Sequence, residues 1–278
     1  MKQELGINGT CFQTGRIQLM TMPSALDHII QGVLEDVQAR KRPISNLIQD
    51  LDHAPKIRNS VDALSRQGMS LIAEVKRSSP SKGDLAEIAD PVSLAHSYQV
   101  GGADLISVLT EQRKFKGKIS DLLAIRESVR IPILRKDFIV TDFQVYESRI
   151  IGSDLILLIV AALSRSQLFD FYQLANELGM QCLVEVHNVG EAEIAVELGA
   201  NIIGVNSRNL KTLEVDSKTF ELILPNLPDT VIKVAESGIS TREEVERVES
   251  LGANAILVGE ALVKAGNPVH TIKQLLNR

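Results

Sequence analysis

A short motif recurs four times along the chain. Gly102-Ala103-Asp104-Leu105-Ile106, Gly152-Ser153-Asp154-Leu155-Ile156, Gly199-Ala200-Asn201-Ile202-Ile203 and Gly252-Ala253-Asn254-Ala255-Ile256 are separated by 50, 47 and 53 residues. Each copy follows a helix-like stretch and opens an apolar run. Glycine suits the left-handed residue that ends a helix, and Asp or Asn suits the turn that follows. The repeat predicts strands at 104–109, 154–160, 201–205 and 254–258. Four more apolar runs lie between them: Leu71–Val75, Ile131–Leu134, Gln181–Val186 and Thr230–Ala235. Their apolarity is continuous rather than alternating, which marks strands buried on both faces. Helical patterns such as Ser164–Leu178 and Thr241–Leu251 separate them. Eight strand–helix units close an α/β (β/α)8 TIM barrel, read here as four quarter-barrels. An open doubly wound sheet is the alternative, but it carries fewer strands and the chain has no GxGxxG.

The barrel accounts for residues 23–278 as one domain. Ahead of it, Ser24 can cap a helix over 24–41 with an apolar stripe of Leu26, Ile29, Ile30, Val33, Leu34 and Val37. Pro43 separates a second helical piece, 44–51. This N-terminal helical extension is expected to pack on the barrel, over one end. Residues 1–22 read as a flexible tail.

Active sites of such barrels lie at the C-terminal ends of the strands. Here those ends read Glu74-Val75-Lys76, Arg135-Lys136-Asp137-Phe138, Glu185-Val186-His187, Asn206-Ser207-Arg208-Asn209, Glu236-Ser237-Gly238 and Gly259-Glu260. Strands two and four end blandly. The charge therefore falls mainly on odd strands, and alternate strands share an interior layer. Glu74 and Lys76 lie two residues apart on one face, where pairing with Lys136 and Glu185 across the mouth is expected. Ion pairs that merely cap strand ends are the alternative for any one residue. Four odd strands together favour a site, because apolar packing serves stability as well or better. Ser237-Gly238 and Gly259 allow close backbone approach, and barrels place phosphate after strands seven and eight. Lys76 on the neighbouring first strand can reach the same anion. His187 reads as a loop or cap residue rather than a catalytic one. The basic segment Lys114-Phe115-Lys116-Gly117-Lys118 is either a lid over an anionic ligand or a solvated loop, the loop being favoured.

The chain carries a net charge of −5 with no basic tract, so nucleic acid is a poor partner. No apolar run reaches membrane-spanning length, and the N-terminus lacks a signal-peptide pattern. Cys11 and Cys182 form no disulfide framework or zinc spacing. A reduced, cytoplasmic protein is expected, a monomer or weak homo-oligomer.

Several of these segments are similar to the signatures of the indole-3-glycerol phosphate synthase family. They are Glu74-Val75-Lys76-Arg77-Ser78-Ser79-Pro80-Ser81-Lys82-Gly83, Leu134-Arg135-Lys136-Asp137-Phe138-Ile139, Leu183-Val184-Glu185-Val186, Gly204-Val205-Asn206-Ser207-Arg208-Asn209-Leu210 and Ala235-Glu236-Ser237-Gly238-Ile239. The resemblance runs over about residues 24–278, N-terminal helices included. It implies ring closure of 1-(2-carboxyphenylamino)-1-deoxyribulose 5-phosphate to indole-3-glycerol phosphate in tryptophan biosynthesis, with loss of carbon dioxide and water and no cofactor or metal. By the same resemblance Glu74, Lys76, Lys136, Glu185, Asn206 and Ser237 are catalytic. Ser79, Phe138, Arg208 and Glu236 bind substrate, and Lys76, Gly238, Gly259 and Glu260 bind phosphate. Lys136 would be the general acid and Glu185 a base or stabiliser of the cationic nitrogen, assisted by Glu74 and Lys76. Asn206 would orient substrate and Phe138 would pack on the anthranilate ring. Some relatives carry Ser at the position of Glu260, whose side chain is expected to turn away, leaving only its backbone N–H to help. Phosphoribosylanthranilate isomerase, another phosphate-binding barrel, and a non-catalytic metabolite-binding barrel are the alternatives. The length leaves room for one barrel and no fused second enzyme.

Overall fold

A computed structural model describes residues 24–278; the expected tail at 1–22 and Cys11 lie outside them. Eight parallel strands close a barrel: β1 (Ser70–Val75), β2 (Leu105–Leu109), β3 (Ile133–Lys136), β4 (Leu155–Ile159), β5 (Gln181–Val186), β6 (Ile202–Asn206), β7 (Ile232–Glu236) and β8 (Ala255–Val258). Each pairs with its neighbours in sequence, and β8 closes on β1. Two strands start later and end later than the apolar runs suggest. Pro132 and Val231 stay outside β3 and β7, so Lys136 and Glu236 become strand residues with fixed directions. Among the described residues no helix is long and apolar enough to cross a membrane.

The four repeats now have a physical role. Gly102, Gly152, Gly199 and Gly252 all have φ between 78° and 103° and turn the chain out of a helix. The Asp or Asn two residues later reaches the neighbouring strand at the barrel bottom. Asp104 accepts from the Leu71 N–H at 3.0 Å, Asp154 from Ile133 at 2.8 Å, and Asn254 from Lys233 at 2.8 Å. Asn201 contributes through its backbone instead, its carbonyl accepting from the Ile232 N–H at 2.9 Å. These bonds satisfy N–H groups at the first or second residue of each strand.

The interior is layered. Ile72, Leu134, Leu183 and Val234 fill a buried apolar layer of the odd strands. Two residues higher on the same strands stand Glu74, Lys136, Glu185 and Glu236. Outward-facing residues such as Ala73, Val108, Val184 and Val205 join the core beneath the helices.

The first helix, Ala25–Arg40, begins in a capping box between Ser24 and Asp27. It buries Leu26, Ile29, Val33 and Val37 against Phe138, Val140 and Phe143. Ion pairs of Arg40 with Glu147 (2.8 Å) and of Arg113 with Glu35 and Asp36 (2.7 Å each) hold it across the barrel mouth. Leu34, placed in the apolar stripe by sequence, is 44% exposed. The second piece, Ile44–Asp50, then leads down to the bottom. There the Arg58 N–H donates to Asp154 at 2.7 Å, and Leu64 packs with Ile72 and Leu105. The extension therefore spans both ends of the barrel.

Candidate active site

A cavity of about 520 Å3 opens at the C-terminal mouth, within the range of small-molecule sites. The expected residues Glu74, Lys76, Ser79, Lys136, Phe138, Glu185, Asn206, Arg208, Glu236, Ser237, Gly238, Gly259 and Glu260 all line it.

The centre is one partly buried ammonium among three buried carboxylates. Lys136 Nζ lies 3.1 Å from Glu185 Oε2 and 3.5 Å from Glu236 Oε2. Burial alone would lower the lysine pKa, but Glu185, Glu236 and Glu74 more than offset it and hold the ammonium above the ordinary lysine value. Burial also works to protonate Glu185. Lys136, His187 and Asn206 prevail there and hold it well below the usual carboxylate range. Glu236 goes the other way: burial and the neighbouring Glu185 and Glu74 push it well above that range, against the pull of Lys136. Its Oε1 is buried without a hydrogen-bond partner. Two carboxyl groups whose pKa values are pushed in opposite directions flank one lysine.

Lys76 differs from its expected pairing. Its ammonium bonds Glu74 of its own strand at 2.6 Å rather than reaching across the mouth. The i, i+2 spacing puts the two on one face, and no intervening backbone separates them. Asn206 is tied into the protein at both ends. Its amide donates to Glu185 Oε1 at 3.1 Å and its carbonyl accepts from the Arg208 N–H at 3.0 Å, so both ends serve the protein. Arg208 donates to Ser81 Oγ at 3.1 Å and to the Leu213 carbonyl at 2.9 Å. It thereby ties the loop after β6 to the loop after β1.

At the other end of the cavity the backbone is unusual. Ser237 and Gly238 are both left-handed, with φ of 67° and 70°. A serine there is strained, and such strain collects at functional sites. The Ser207 hydroxyl donates to the Ser237 carbonyl at 3.1 Å and holds the turn. Glu260, expected to turn away from the phosphate, is paired with two lysines. Its Oε1 lies 2.8 Å from both Lys82 and Lys264. Those two lysines overcome partial burial and hold it below the usual carboxylate range. Its charge is taken up locally rather than presented to an anion.

Four contributions were not read from sequence. Leu26 and Ile29 of the first helix line the cavity. Phe115 turns in from the basic loop and meets Phe138 at a ring-centroid distance of 6.1 Å. The loop is fixed by Glu111, whose carboxylate accepts from the N–H groups of Arg113, Lys114 and Phe115 at 2.7–2.9 Å. A lone aromatic among lysines was the available signal. Lys82 and Lys264 pair with Glu260. Finally, two glycines make room for the charged layer. A Cβ on Gly204 would sit 2.1 Å from Glu236 Oε1, and one on Gly259 would sit 2.6 Å from Glu74 Oε1. A glycine inside a strand signals such close approach.

The chain resembles known proteins at two levels. A family model described as indole-3-glycerol phosphate synthase matches residues 26–275. A protein of that name from Streptomyces griseus subsp. griseus is 50% identical over 255 residues, which are 91% of this chain and 95% of the relative. Another from Rhodococcus opacus is 50% identical over 256 residues with the same coverage. Among solved structures, 3-hexulose-6-phosphate synthase from Salmonella typhimurium superposes with a TM-score of 0.62 at 16% identity, over 75% of this chain and 97% of that one. Thiamine phosphate pyrophosphorylase from Pyrococcus furiosus gives 0.59 at 16% identity, over 78% and 96%. At that identity the structural likeness shows the barrel fold alone.

Proposed function

The chain belongs to the indole-3-glycerol phosphate synthase family, and on that premise we propose a division of labour among its rim residues. The protein is a carbon–carbon lyase of tryptophan biosynthesis, converting 1-(2-carboxyphenylamino)-1-deoxyribulose 5-phosphate to indole-3-glycerol phosphate, carbon dioxide and water. The family match sets aside the isomerase and the binding-only barrel.

The observation that carries the assignment of roles is the buried layer of one lysine among three carboxylates. The ring carbon bearing the carboxylate attacks the ketone, so a new C–C bond forms and the carbonyl electron pair goes to oxygen. The Lys136 ammonium protonates that oxygen. An alkoxide is more basic than even this stabilised amine, so the transfer runs downhill. Carbon dioxide then departs, and its bonding electrons restore the aromatic ring. In the last step the new hydroxyl takes a proton from Lys76, which lines the same cavity, and leaves as water, and the adjacent carbon loses a proton to Glu185. Glu185 suits this as a carboxylate kept ionised despite burial, with Asn206 fixing one of its oxygens. The cationic nitrogen that forms on the way is stabilised by the same carboxylate.

Glu236 lines the cavity, where a substrate hydroxyl would meet its carboxyl group. Ser79 and Arg208 hold the polar chain of the substrate from the loops after β1 and β6. Phe138, backed by Phe115, Leu26 and Ile29, receives the anthranilate ring. The phosphate sits at the turn of Ser237 and Gly238 and at the backbone of Gly259 and Glu260. Lys76, with Glu74, borders it from β1, and Lys82 and Lys264 offset the carboxylate of Glu260.

The test is a paired assay of wild type and Lys136→Ala with the carboxyphenylamino-deoxyribulose phosphate, following product fluorescence and carbon dioxide release. Loss of about 10²-fold or more in kcat for the variant, with KM little changed, is expected of a general acid. A variant that retains wild-type kcat overturns the role of Lys136. Glu185→Gln tests the base in the same way.

A further inference from the structure

Glu185 must remain a carboxylate to accept a proton, in a layer where burial favours the neutral acid. Lys136 serves its Oε2. Its Oε1 has two neighbours: the Asn206 amide, and the imidazole of His187, whose Nε2 lies 3.1 Å away. His187 follows the end of β5 and does not line the cavity. It stands behind the base, away from substrate.

The other ring nitrogen of His187 is also committed. Nδ1 lies 3.1 Å from Glu191 Oε2, on the helix Val189–Glu197 that follows β5. Glu191 is itself fixed. Its Oε2 accepts the His187 backbone N–H at 2.8 Å, and its Oε1 accepts from the Asn188 side chain at 2.7 Å. Both ring nitrogens therefore face carboxylate oxygens, and only the imidazolium presents a proton to each. The charged groups around the ring are Glu185 on its own strand, Glu191 on the following helix and, across the mouth, Glu236 on β7 and Lys136 on β3. The balance favours a cation. Burial lowers the His187 pKa, but Glu185 and Glu191 overcome this and bring it to about 9.

The geometry toward Glu185 is that of an ion pair and not of a hydrogen bond. Nε2 is at ion-pair distance, yet it is buried and lacks an aligned hydrogen-bond acceptor. The positive charge and the Asn206 amide, each 3.1 Å from the same oxygen, both act on Oε1.

We propose that His187 is a positioning residue for the base: anchored by Glu191 as an imidazolium, it keeps Glu185 ionised and, with Asn206, holds its Oε1 in place. This rests on the reading of Glu185 as the base. It assigns Glu191, outside the cavity, the task of holding the histidine charged.

The test uses the full-length protein and three variants, His187→Gln, Glu191→Gln and Glu185→Gln, with kcat and KM measured from pH 3 to 9.5. The ring resonances of His187 are followed by NMR over the same range in the wild type and Glu191→Gln. In His187→Gln the acidic limb of the kcat profile should move up by about one pH unit or more, because a neighbouring positive charge of the base is lost. Below the limb kcat should fall about 10-fold relative to wild type, and KM should change less than about 2-fold, since the residue does not touch substrate. Glu191→Gln should move the limb the same way and lower the pH at which His187 titrates. An acidic limb unmoved in both variants overturns the proposal, as does a wild-type His187 that titrates near its ordinary value. If His187→Gln does not fold, Glu191→Gln and the wild-type NMR titration still decide. Glu185→Gln separates the two readings. Its retained activity removes the base assignment, whereas an inactive Glu185→Gln beside a silent His187→Gln removes only the role of His187.

Discussion

Gly204→Ala adds one methyl group at the point where the charged layer is tightest. Gly204 lies inside β6, next to Glu236 of β7, and its backbone is ordinary, so alanine brings no conformational strain of its own. The conflict is steric. The new Cβ would lie 2.1 Å from Glu236 Oε1 and 3.2 Å from Leu183 Cδ1, where ordinary contact begins at 3.4 Å. The Glu236 carboxylate must retreat by more than about 1 Å in an interior packed to crystal density. Its other oxygen sits 3.5 Å from Lys136, so the ammonium moves or loses a partner. Overpacking of this kind costs about 1–3 kcal/mol, a fall in Tm on the order of 5 °C for a domain of this size. A misplacement of about 1 Å in the layer should also lower kcat/KM by roughly 10²-fold. The assay is a double-mutant cycle on stability with Gly204→Ala, Glu236→Ala and the pair. Removing the carboxylate should relieve most of the alanine penalty, giving a coupling of about 1–2 kcal/mol. Additive effects within about 0.5 kcal/mol, or an unchanged Tm in Gly204→Ala, would refute the steric argument.

Three further outcomes follow from the geometry. Glu260→Gln frees Lys82 and Lys264 to face the substrate phosphate; KM should fall about 2- to 5-fold, a modest effect because the lysines are solvent-exposed, and an increased KM would contradict the arrangement. Phe115→Ala removes the ring tilted against Phe138; KM should rise about 2- to 10-fold, the value of one aromatic contact, while an unchanged KM would mean the basic loop does not shape the substrate cavity. The pKa of His187 is raised in the fold to about 9, so its stabilising contribution is fully present below the ordinary value of about 6.5 and is lost as pH rises through 9. That contribution is at most about 3 kcal/mol, so the difference in Tm between wild type and His187→Gln should shrink from pH 6 to pH 9.5, and a difference independent of pH would contradict it.

Sequence and tertiary structure divide the work in a way the individual residues make plain. The four Gly-x-Asp/Asn repeats and the continuous apolar runs determined eight parallel strands and their order, because helix ends, turns and two-sided burial are written in local residue types. The strand-end positions of Glu74, Lys136, Glu185 and Glu236 likewise follow from counting along the chain, since side chains alternate with a period of two. What those residues touch was decided only when the barrel closed. Lys76 took its own strand neighbour Glu74 instead of a partner across the mouth, and Asn206 turned to Glu185. Phe115 folded inward because Glu111 fixes its loop. His187 passed for an ordinary cap residue because its partners, Glu185 and Glu191, sit two residues before it and four after it, on a strand and on a helix. Gly204 became indispensable space only through the register of β6 against β7. Such pairings depend on distances between elements, set by strand stagger and packing, and a one-dimensional pattern carries no record of them.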